Sequence, residues 1–455
     1  MFHVKHSLSD TITAIASPLG VGGVGVVRIS GDQSIRIAEE LIKDFPKKIE
    51  PRKVYLRWIF QNKKPIDEIV FYYMKAPKSF TGEDVVEIFC HSGLAVLESI
   101  VGLIIKKGAR QAEPGEFTKR AFLNKKIDLT KAEAIVDLVS AQTEKSAGFA
   151  VNQLQGRLSK FADIMRKILL EELTKIEAYI DFEDELKPTK KIIDAKKINK
   201  IKKEILRLVE TEKQGKIFRQ GLATVIIGKP NVGKSSLLNQ LLGEERAIVT
   251  SLPGTTRDSI EEVVNLKGIP LKIIDTAGIR HPKDKAEKFG VERTVNEVAT
   301  ADLALMVFDN SRPLDDWDRM VIDKASPKLG LAIINKVDLK AKLDRKKLKQ
   351  LLKGRPICFV SAKTGQAMEA LKTTLYGLIS KSARLAGNSP IVVNERHRGC
   401  LLRAMEALDR MPASASVECL ALDLKDAIIS LGEITGEQVS EEVINGIFSR
   451  FCIGK

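Results

Sequence analysis

Leu222-Ala-Thr-Val-Ile-Ile-Gly228-Lys-Pro-Asn231-Val232-Gly233-Lys234-Ser235-Ser236-Leu-Leu-Asn-Gln-Leu-Leu242 decides the fold of the region around it. Its first six residues are a buried-type strand, and the apolar spacing after Ser236 is helical. Between them lies G-x-x-x-x-G-K-S, so the order is strand, glycine-rich loop, helix, the context in which this motif cradles phosphate. Glycine lets backbone N–H groups close around an anion, and the helix N-terminus adds partial positive charge. Val232, Gly233, Lys234, Ser235 and Ser236 are therefore candidate phosphate contacts. Lys234 is expected at the β/γ-phosphates and the Ser235 hydroxyl on Mg²⁺.

Three further strand ends complete a pattern. Leu271-Lys-Ile-Ile ends in Asp275-Thr276-Ala277-Gly278, where Asp275 is placed to hold Mg²⁺ through water and the Gly278 amide to sense a γ-phosphate. Leu331-Ala-Ile-Ile ends in Asn335-Lys336-Val337-Asp338, whose carboxylate matches the two donors on the guanine edge. Adenine presents an acceptor there, and a site built on such hydrogen bonds rejects the analogue by ~10⁴. Ile357-Cys-Phe-Val runs into Ser361-Ala362-Lys363, a base-contacting loop. Together the four resemble the GTPase family of P-loop proteins and imply GTP/GDP. Ile279 stands where Ras-like enzymes carry the glutamine that orients water. Asn231 and the loop Thr250-Ser-Leu252-Pro-Gly-Thr255-Thr256-Arg-Asp resemble the cation site of the potassium-activated GTPases, where K⁺ replaces an arginine finger, a role worth ~10³ to 10⁵ in rate. The alternative for Asn231 is a loop hydrogen bond, and the cation role is the favoured reading.

The whole chain has 455 residues, a formal net charge of +15, 44% hydrophobic and 29% charged residues, and 5% aromatics. That is globular composition for about three domains. The basic balance suits a polyanion or a lysine-rich proteome, and scarce aromatics favour charge over base stacking. Cys90, Cys358, Cys400, Cys419 and Cys452 are scattered without metal-type spacing, as expected of reduced thiols in a cytoplasmic protein. The start at Met1 has no signal-type apolar core, and no run of ~18 apolar residues spans a membrane.

The texture changes along the chain. Residues 1–118 read as an α+β domain, with strands at Thr11–Ala16, Val24–Ile29, Ile69–Met74 and Asp84–Phe89 and helices at Ser34–Lys43 and Gly93–Lys107. Residues 119–216 are helical, with a capping box expected at Thr130–Glu133, the helical pattern continuing over Asn152–Ile180, and several long helices in all. Residues 217–382 alternate strand and helix, and 383–455 are helical again. The fold class expected is multidomain α/β: an α+β N-terminal domain, a discontinuous helical domain, and an inserted Ras-like P-loop domain with a mainly parallel sheet.

The chain end, Ile447-Phe-Ser-Arg-Phe-Cys452-Ile-Gly-Lys455, with Gly432-Glu-Ile-Thr-Gly436 before it, resembles the tRNA-modification GTPase family MnmE (TrmE). Gly22-Gly-Val-Gly-Val-Val-Arg28-Ile-Ser-Gly, Ser79-Phe-Thr-Gly-Glu-Asp-Val-Val-Glu87 and Pro114-Gly-Glu-Phe-Thr-Lys-Arg-Ala-Phe-Leu-Asn agree. The resemblance spans essentially the whole chain. It implies a homodimer whose N-terminal domain binds a tetrahydrofolate derivative (5-formyl- or methylene-tetrahydrofolate). It implies an FAD-dependent partner, MnmG (GidA), in a heterotetramer or larger complex that installs a carboxymethylaminomethyl-type group on carbon 5 of the wobble uridine of certain tRNAs. By position, Arg28, Glu87, Lys126 and Lys455 match folate contacts. Asn231, Thr250, Leu252 and Thr255 match the K⁺ site, Ser235 and Thr256 match Mg²⁺, and Glu287 matches the acid that positions water. Cys452 matches a tail cysteine implicated in the modification.

Without the family, Arg28 and Lys126 read as solvated charges, Glu287 as a surface acid, and Cys452 as either a thiolate nucleophile or a small packing residue. The basic stretch Lys187–Lys216 reads as a tRNA contact or, more commonly, a solvated helix face. Two departures stand out: the basic run Lys283–Lys288, and Ser92 where the family commonly has glycine. A ribosome-assembly GTPase and a folate-dependent one-carbon transferase with a regulatory GTPase insert are the alternative functions. A membrane-remodelling GTPase is disfavoured because no lipid-facing amphipathic segment is evident.

Overall fold

The computed structural model describes residues 10–181, 193–245, 262–274, 298–383, 391–411 and 416–455. Thr250, Leu252, Thr255, Thr256, Asp275, Thr276, Ala277, Gly278 and Glu287 lie outside these residues, as do Lys283–Lys288 and residues 187–192 of the basic stretch. Packing divides the chain into two compact units: Met1–Val136 with Leu154–Pro188 and Ala413–Lys455, and Asp137–Gln153 with Thr189–Pro412.

In the first unit a six-stranded sheet forms from β1 (Ile12–Ile15), β2 (Gly25–Ser30), β3 (Tyr55–Gln61), β4 (Lys64–Met74), β5 (Val85–Cys90) and β6 (Arg110–Gln111), in the order β3-β4-β5-β2-β1-β6. All pairings are antiparallel except β1 with β6. Alternation along β2, β4 and β5 sends Val27, Ile29, Ile69, Phe71, Val86 and Ile88 into a core with Ile37, Leu97, Ile100 and Ile104 of the helices Ser34–Leu41 and Leu94–Lys106. The remaining helices are amphipathic. Leu158, Ala162, Met165, Leu169, Leu173 and Ile176 recur at helical spacing along Arg157–Asp181, and that helix packs on Val417–Thr435 through Leu424, Ile428, Leu431 and Ile434.

The second unit holds a sheet of β7 (Leu222–Ile227), β8 (Glu262–Leu266), β9 (Ile269–Ile273), β10 (Leu303–Asp309), β11 (Leu329–Asn335) and β12 (Ile357–Phe359), ordered β12-β11-β10-β7-β9-β8. Only β8 with β9 is antiparallel among the described pairings. All seven residues of β10 are buried, as a strand with both faces covered requires. Leu237, Leu241, Leu305, Leu331 and Leu375 fill one face of the sheet, and Val225, Met306, Phe308, Ile334 and Leu348 the other. In the same unit Ala195–Glu210 packs on Glu395–Asp409. Early and late helical segments thus pair within each unit.

Three local expectations change. The helix Leu129–Val139 is capped by Asp128, whose Oδ1 accepts from the Lys131 N–H at 2.9 Å; Thr130 lies inside the helix, buried, with its hydroxyl on Asp128 and Ser159. The aspartate offers a better acceptor one residue before the helix than the threonine inside it. The helical pattern over Asn152–Ile180 is divided between Glu144–Leu154 and Arg157–Asp181, with a break at Gly156, φ +76°. The strands Tyr55–Gln61 and Arg110–Gln111 add to the four expected from the sequence.

One polar cluster ties the start of β1 to the helix Glu116–Leu123. Arg120, 2% exposed, donates Nη2 to Asp10 Oδ1 (2.7 Å) and Glu116 Oε1 (2.9 Å) and Nη1 to Glu83 Oε1 (3.1 Å). Arg110 adds Nη2 to Glu116 Oε1 at 2.7 Å and Nε to Asp10 Oδ2 at 2.8 Å. Burial pushes the Glu116 carboxyl up, but Arg110, the Glu113 N–H and Arg120 outweigh it and hold the group at about 2. Removing one partner of a buried pair leaves uncompensated charge and costs about 3–5 kcal/mol. Arg120→Met is expected to lower stability by that order in urea denaturation of the full chain. Because the Glu116 value is depressed on folding, its stabilisation is present above the ordinary carboxylate range and is lost as pH falls through about 2. The variant should flatten that acid limb, and an unchanged urea midpoint and acid limb would contradict the network's role.

Candidate functional site

The residues after β7 build a tight anion loop. Gly228 (φ +157°) and Gly233 (φ +97°) admit no side chain: a Cβ would sit 2.4 Å from the Val307 carbonyl oxygen and 2.2 Å from Asn335 Nδ2, respectively. Asn231 itself adopts φ +63°. Lys234 Nζ curls over the loop and donates to the carbonyls of Gly228 and Lys229, both at 2.8 Å. Lys229 is anchored outward on Asp315 and Asp318, each at 2.6 Å. Burial lowers its ammonium, but these two carboxylates prevail and raise it.

The motif after β11 splits into two roles. Asn335, 2% exposed, donates Nδ2 to the Val232 carbonyl (2.8 Å) and accepts the Ala362 N–H on Oδ1 (2.9 Å). Lys336 Nζ reaches the Asn231 carbonyl and Asp309 Oδ2, both at 2.6 Å. These two side chains bracket the phosphate loop to the end of β10 and to the Ser361–Lys363 loop. Asp338 is left exposed, and a hydrogen bond from Ser361 holds its carboxyl below the usual range, with Lys363 and Lys336 helping. A cavity of about 480 Å³ lies against Gly233, Ser236, Asn335, Lys336, Asp338 and Lys363. Its phosphate loop at one side and exposed carboxylate at the other fit a purine nucleotide. The Asn231 side chain has no hydrogen-bond partner among the described residues, and Ser235 lies in the first turn of the helix Lys234–Glu245. Asp309, Asp315 and Asp318 carry no motif in the sequence, and Lys229 is a variable position of the phosphate loop; the strand end at Asp309 is the signal among the three aspartates.

A second constellation lies in the first unit. Register places Tyr72 beside Glu87, Glu87 beside Arg28, and Arg28 beside Ala14, one row across four strands. Glu87 Oε1 accepts from Arg28 Nε at 2.6 Å, and Oε2 accepts from the Tyr72 hydroxyl. Burial, then Glu87, push that phenol up to about 12. The guanidinium stacks between Phe117 (5.4 Å) and Phe80 (5.9 Å). The chain end closes over this row: Arg28 Nη1 donates to the Gly454 carbonyl at 3.2 Å, and the Gly115 N–H to the Cys452 carbonyl at 3.4 Å. Arg28 is therefore a paired, stacked group and not a solvated charge.

The other residues expected here fall nearby. Lys126 gives its Nζ to the Pro77 carbonyl at 2.7 Å, on the loop that carries Phe80, and Lys455 donates its N–H to the Cys452 carbonyl at 3.3 Å. Ser92 accepts the Gly22 N–H at 2.8 Å and donates back to the Gly22 carbonyl, so this departure braces the turn before β2. Phe80 and Phe117 lie inside two of the stretches that carry the family resemblance, which singles out neither, and Tyr72 has no motif; the period-two alternation that aligns it with Glu87 is its only trace.

Residues 11–126 match the family model "GTP-binding protein TrmE N-terminus" and residues 129–452 match "MnmE helical domain". The tRNA modification GTPase MnmE of Clostridioides difficile is 43% identical over 98% of this chain and 100% of its own, and that of Desulforamulus reducens is 44% identical over the same shares. The chain belongs to the MnmE family of tRNA modification GTPases. Among solved structures, the G domain of the T. maritima FeoB iron transporter matches 35% of this chain at 27% identity and a TM-score of 0.26. As an MnmE-family member the chain is a GTP-binding enzyme that acts in tRNA modification.

The MnmE-type tail is seated by backbone fit. Gly454 has φ +94°, and a Cβ there would lie 2.1 Å from the Ile15 carbonyl oxygen; at Gly115 (φ +71°) it would lie 2.6 Å from the Phe448 carbonyl oxygen. Gly454→Ala is expected to lift the tail from Ile15 and Arg28. The half-buried Cys452 thiol should then alkylate several-fold faster with a neutral reagent, read by peptide mass spectrometry against the exposed Cys419. An unchanged Cys452 rate would show that the glycine does not seat the tail.

Proposed function

We propose that this chain is a potassium-activated GTPase that hydrolyses GTP to GDP and phosphate. With the FAD-dependent partner MnmG, it installs a carboxymethylaminomethyl-type group on carbon 5 of the wobble uridine of certain tRNAs. The observation that carries the proposal is the row Tyr72–Glu87–Arg28, closed by the Cys452–Lys455 tail, in the same chain as the nucleotide site. Glu87 supplies an acceptor for the donor edge of a pterin, and Arg28 supplies donors for its carbonyl side, so the row suits a tetrahydrofolate derivative bound as one-carbon source. Lys126 and Lys455 serve its carboxylates, and Cys452 lies one residue from the Ile453–Gly454 segment that meets Arg28.

In the GTPase cycle, Asp338 selects guanine, with Asn335 and Lys336 holding its loop against the phosphate loop. Ser235 with Thr256 holds Mg²⁺, and Asn231 with Thr250, Leu252 and Thr255 holds K⁺. That cation supplies near the phosphates the positive charge of an arginine finger. Glu287 positions water in place of the glutamine absent at Ile279. The domains run 1–118, 119–216, 217–382 and 383–455; the chain acts in the cytoplasm as a homodimer within a larger complex with MnmG.

Hydrolysis by the purified chain is expected to be faster in K⁺ than in Na⁺, and Asn231→Ala should remove the difference; equal rates for the wild type would exclude potassium activation. In cells lacking the gene, nucleoside mass spectrometry of bulk tRNA should show loss of the modified wobble uridine. Wild type should restore it and Cys452→Ser should not. Unchanged modification in the deletion would contradict the assignment.

A further inference from the structure

The helix Ala195–Glu210 carries six basic and two acidic side chains, and folding sorts them. Ile198, Ile201, Ile205 and Leu208 are buried, facing the neighbouring helix Glu395–Asp409. Lys202 pairs with Asp409 at that helix's end. Lys196, Lys200, Lys203 and Arg207 are all exposed. They recur at intervals of four, three and four residues. At 3.6 residues per turn they fall within an arc of about 60°, opposite the buried stripe, over about 16 Å of helix. Arg207 has Glu204 at 2.9 Å. Lys196, Lys200 and Lys203 have no carboxylate partner among the described residues.

Three ammonium groups in one row, without a carboxylate partner among the described residues and on a chain of net charge +15, repel one another. A face that only needed solvation would gain from interspersed acids at i+4, whereas among the described residues Glu204 pairs with Arg207. The Asp194 cap accepts the Lys196 and Lys197 N–H groups and fixes the helix start, and the packed apolar face fixes its rotation, so the row is presented rigidly. Lysines are point-charge phosphate binders, and the stripe contains no aromatic side chain on which to stack a base.

We propose that Lys196, Lys200, Lys203 and Arg207 form a contact stripe for the phosphate backbone of the tRNA. The stripe rests on the chain's action in tRNA modification and adds where the nucleic acid lies. It reads charge and not sequence, so it contributes affinity and orientation while selection of the uridine lies elsewhere.

The test is equilibrium binding of bulk tRNA to the full chain across a salt series, comparing wild type, K196Q/K200Q/K203Q and K196R/K200R/K203R. Neutralising each phosphate-binding lysine should reduce the slope of log affinity against log salt by about 1, so the glutamine variant should fall short of wild type by about 2–3. The arginine variant should keep the wild-type slope, and GTP turnover without tRNA should match wild type in both, which shows the fold intact. A wild-type slope in the glutamine variant would overturn the stripe while leaving the tRNA function standing. Failure of wild type to bind tRNA would overturn both. Loss of binding to phosphatidylserine vesicles with tRNA binding intact would assign the stripe to an anionic membrane and refute the proposal.

Discussion

The side-chain amide of Asn335 holds the nucleotide site together. It spends its donor on the Val232 carbonyl and its acceptor on the Ala362 N–H, and with only 2% exposure neither bond competes with water. An aspartate there would lose the donor and a leucine both bonds, and unpaired buried polar groups cost about 1–3 kcal/mol each. The close approach leaves no room for a side chain on Gly233. Lys336 works in the same way from the neighbouring position, through Asn231 and Asp309. The phosphate loop and the loops beside Asp338 are therefore braced as one body, with the Asp338 carboxylate at its tip.

The N-terminal unit uses a different device. A sheet row aligns Tyr72, Glu87 and Arg28, and the far end of the chain returns to complete it. Aromatic contacts support that return: Phe448 packs on Phe122 and Phe451 at 6.3 and 5.3 Å. The tail is thereby part of the domain's structure, held by backbone fit at two glycines, and the thiol of Cys452 is carried to a fixed place.

The second sheet is readable in the sequence because each motif follows a strand of continuous apolar residues, so chain order alone supplies the loop geometry. β10 is harder to read: Leu303–Asp309 carries no motif of its own, although Asp309 anchors Lys336. Arg28 and Glu87 are identifiable only through family resemblance. Their pairing depends on register between strands almost sixty residues apart, which no local pattern encodes. Tyr55–Gln61 is an edge strand whose residues are mostly exposed or half-buried, and its alternation is correspondingly weak. The helical segments are legible as helices, but their division between two packed units depends on which apolar stripes meet, and stripes of similar composition do not name their partners.

The most direct test of the nucleotide site is the substrate preference of Asp338→Asn. Xanthine carries a carbonyl where guanine has its exocyclic amine, so an amide at this position should accept the ring N–H and donate to that carbonyl. The measurement is kcat/KM for GTP and for xanthosine triphosphate in wild type and variant. Preference should invert, with GTP losing on the order of 10⁴-fold relative to xanthosine triphosphate. Retained GTP preference in a folded Asp338→Asn chain would contradict the placement of base recognition on Asp338.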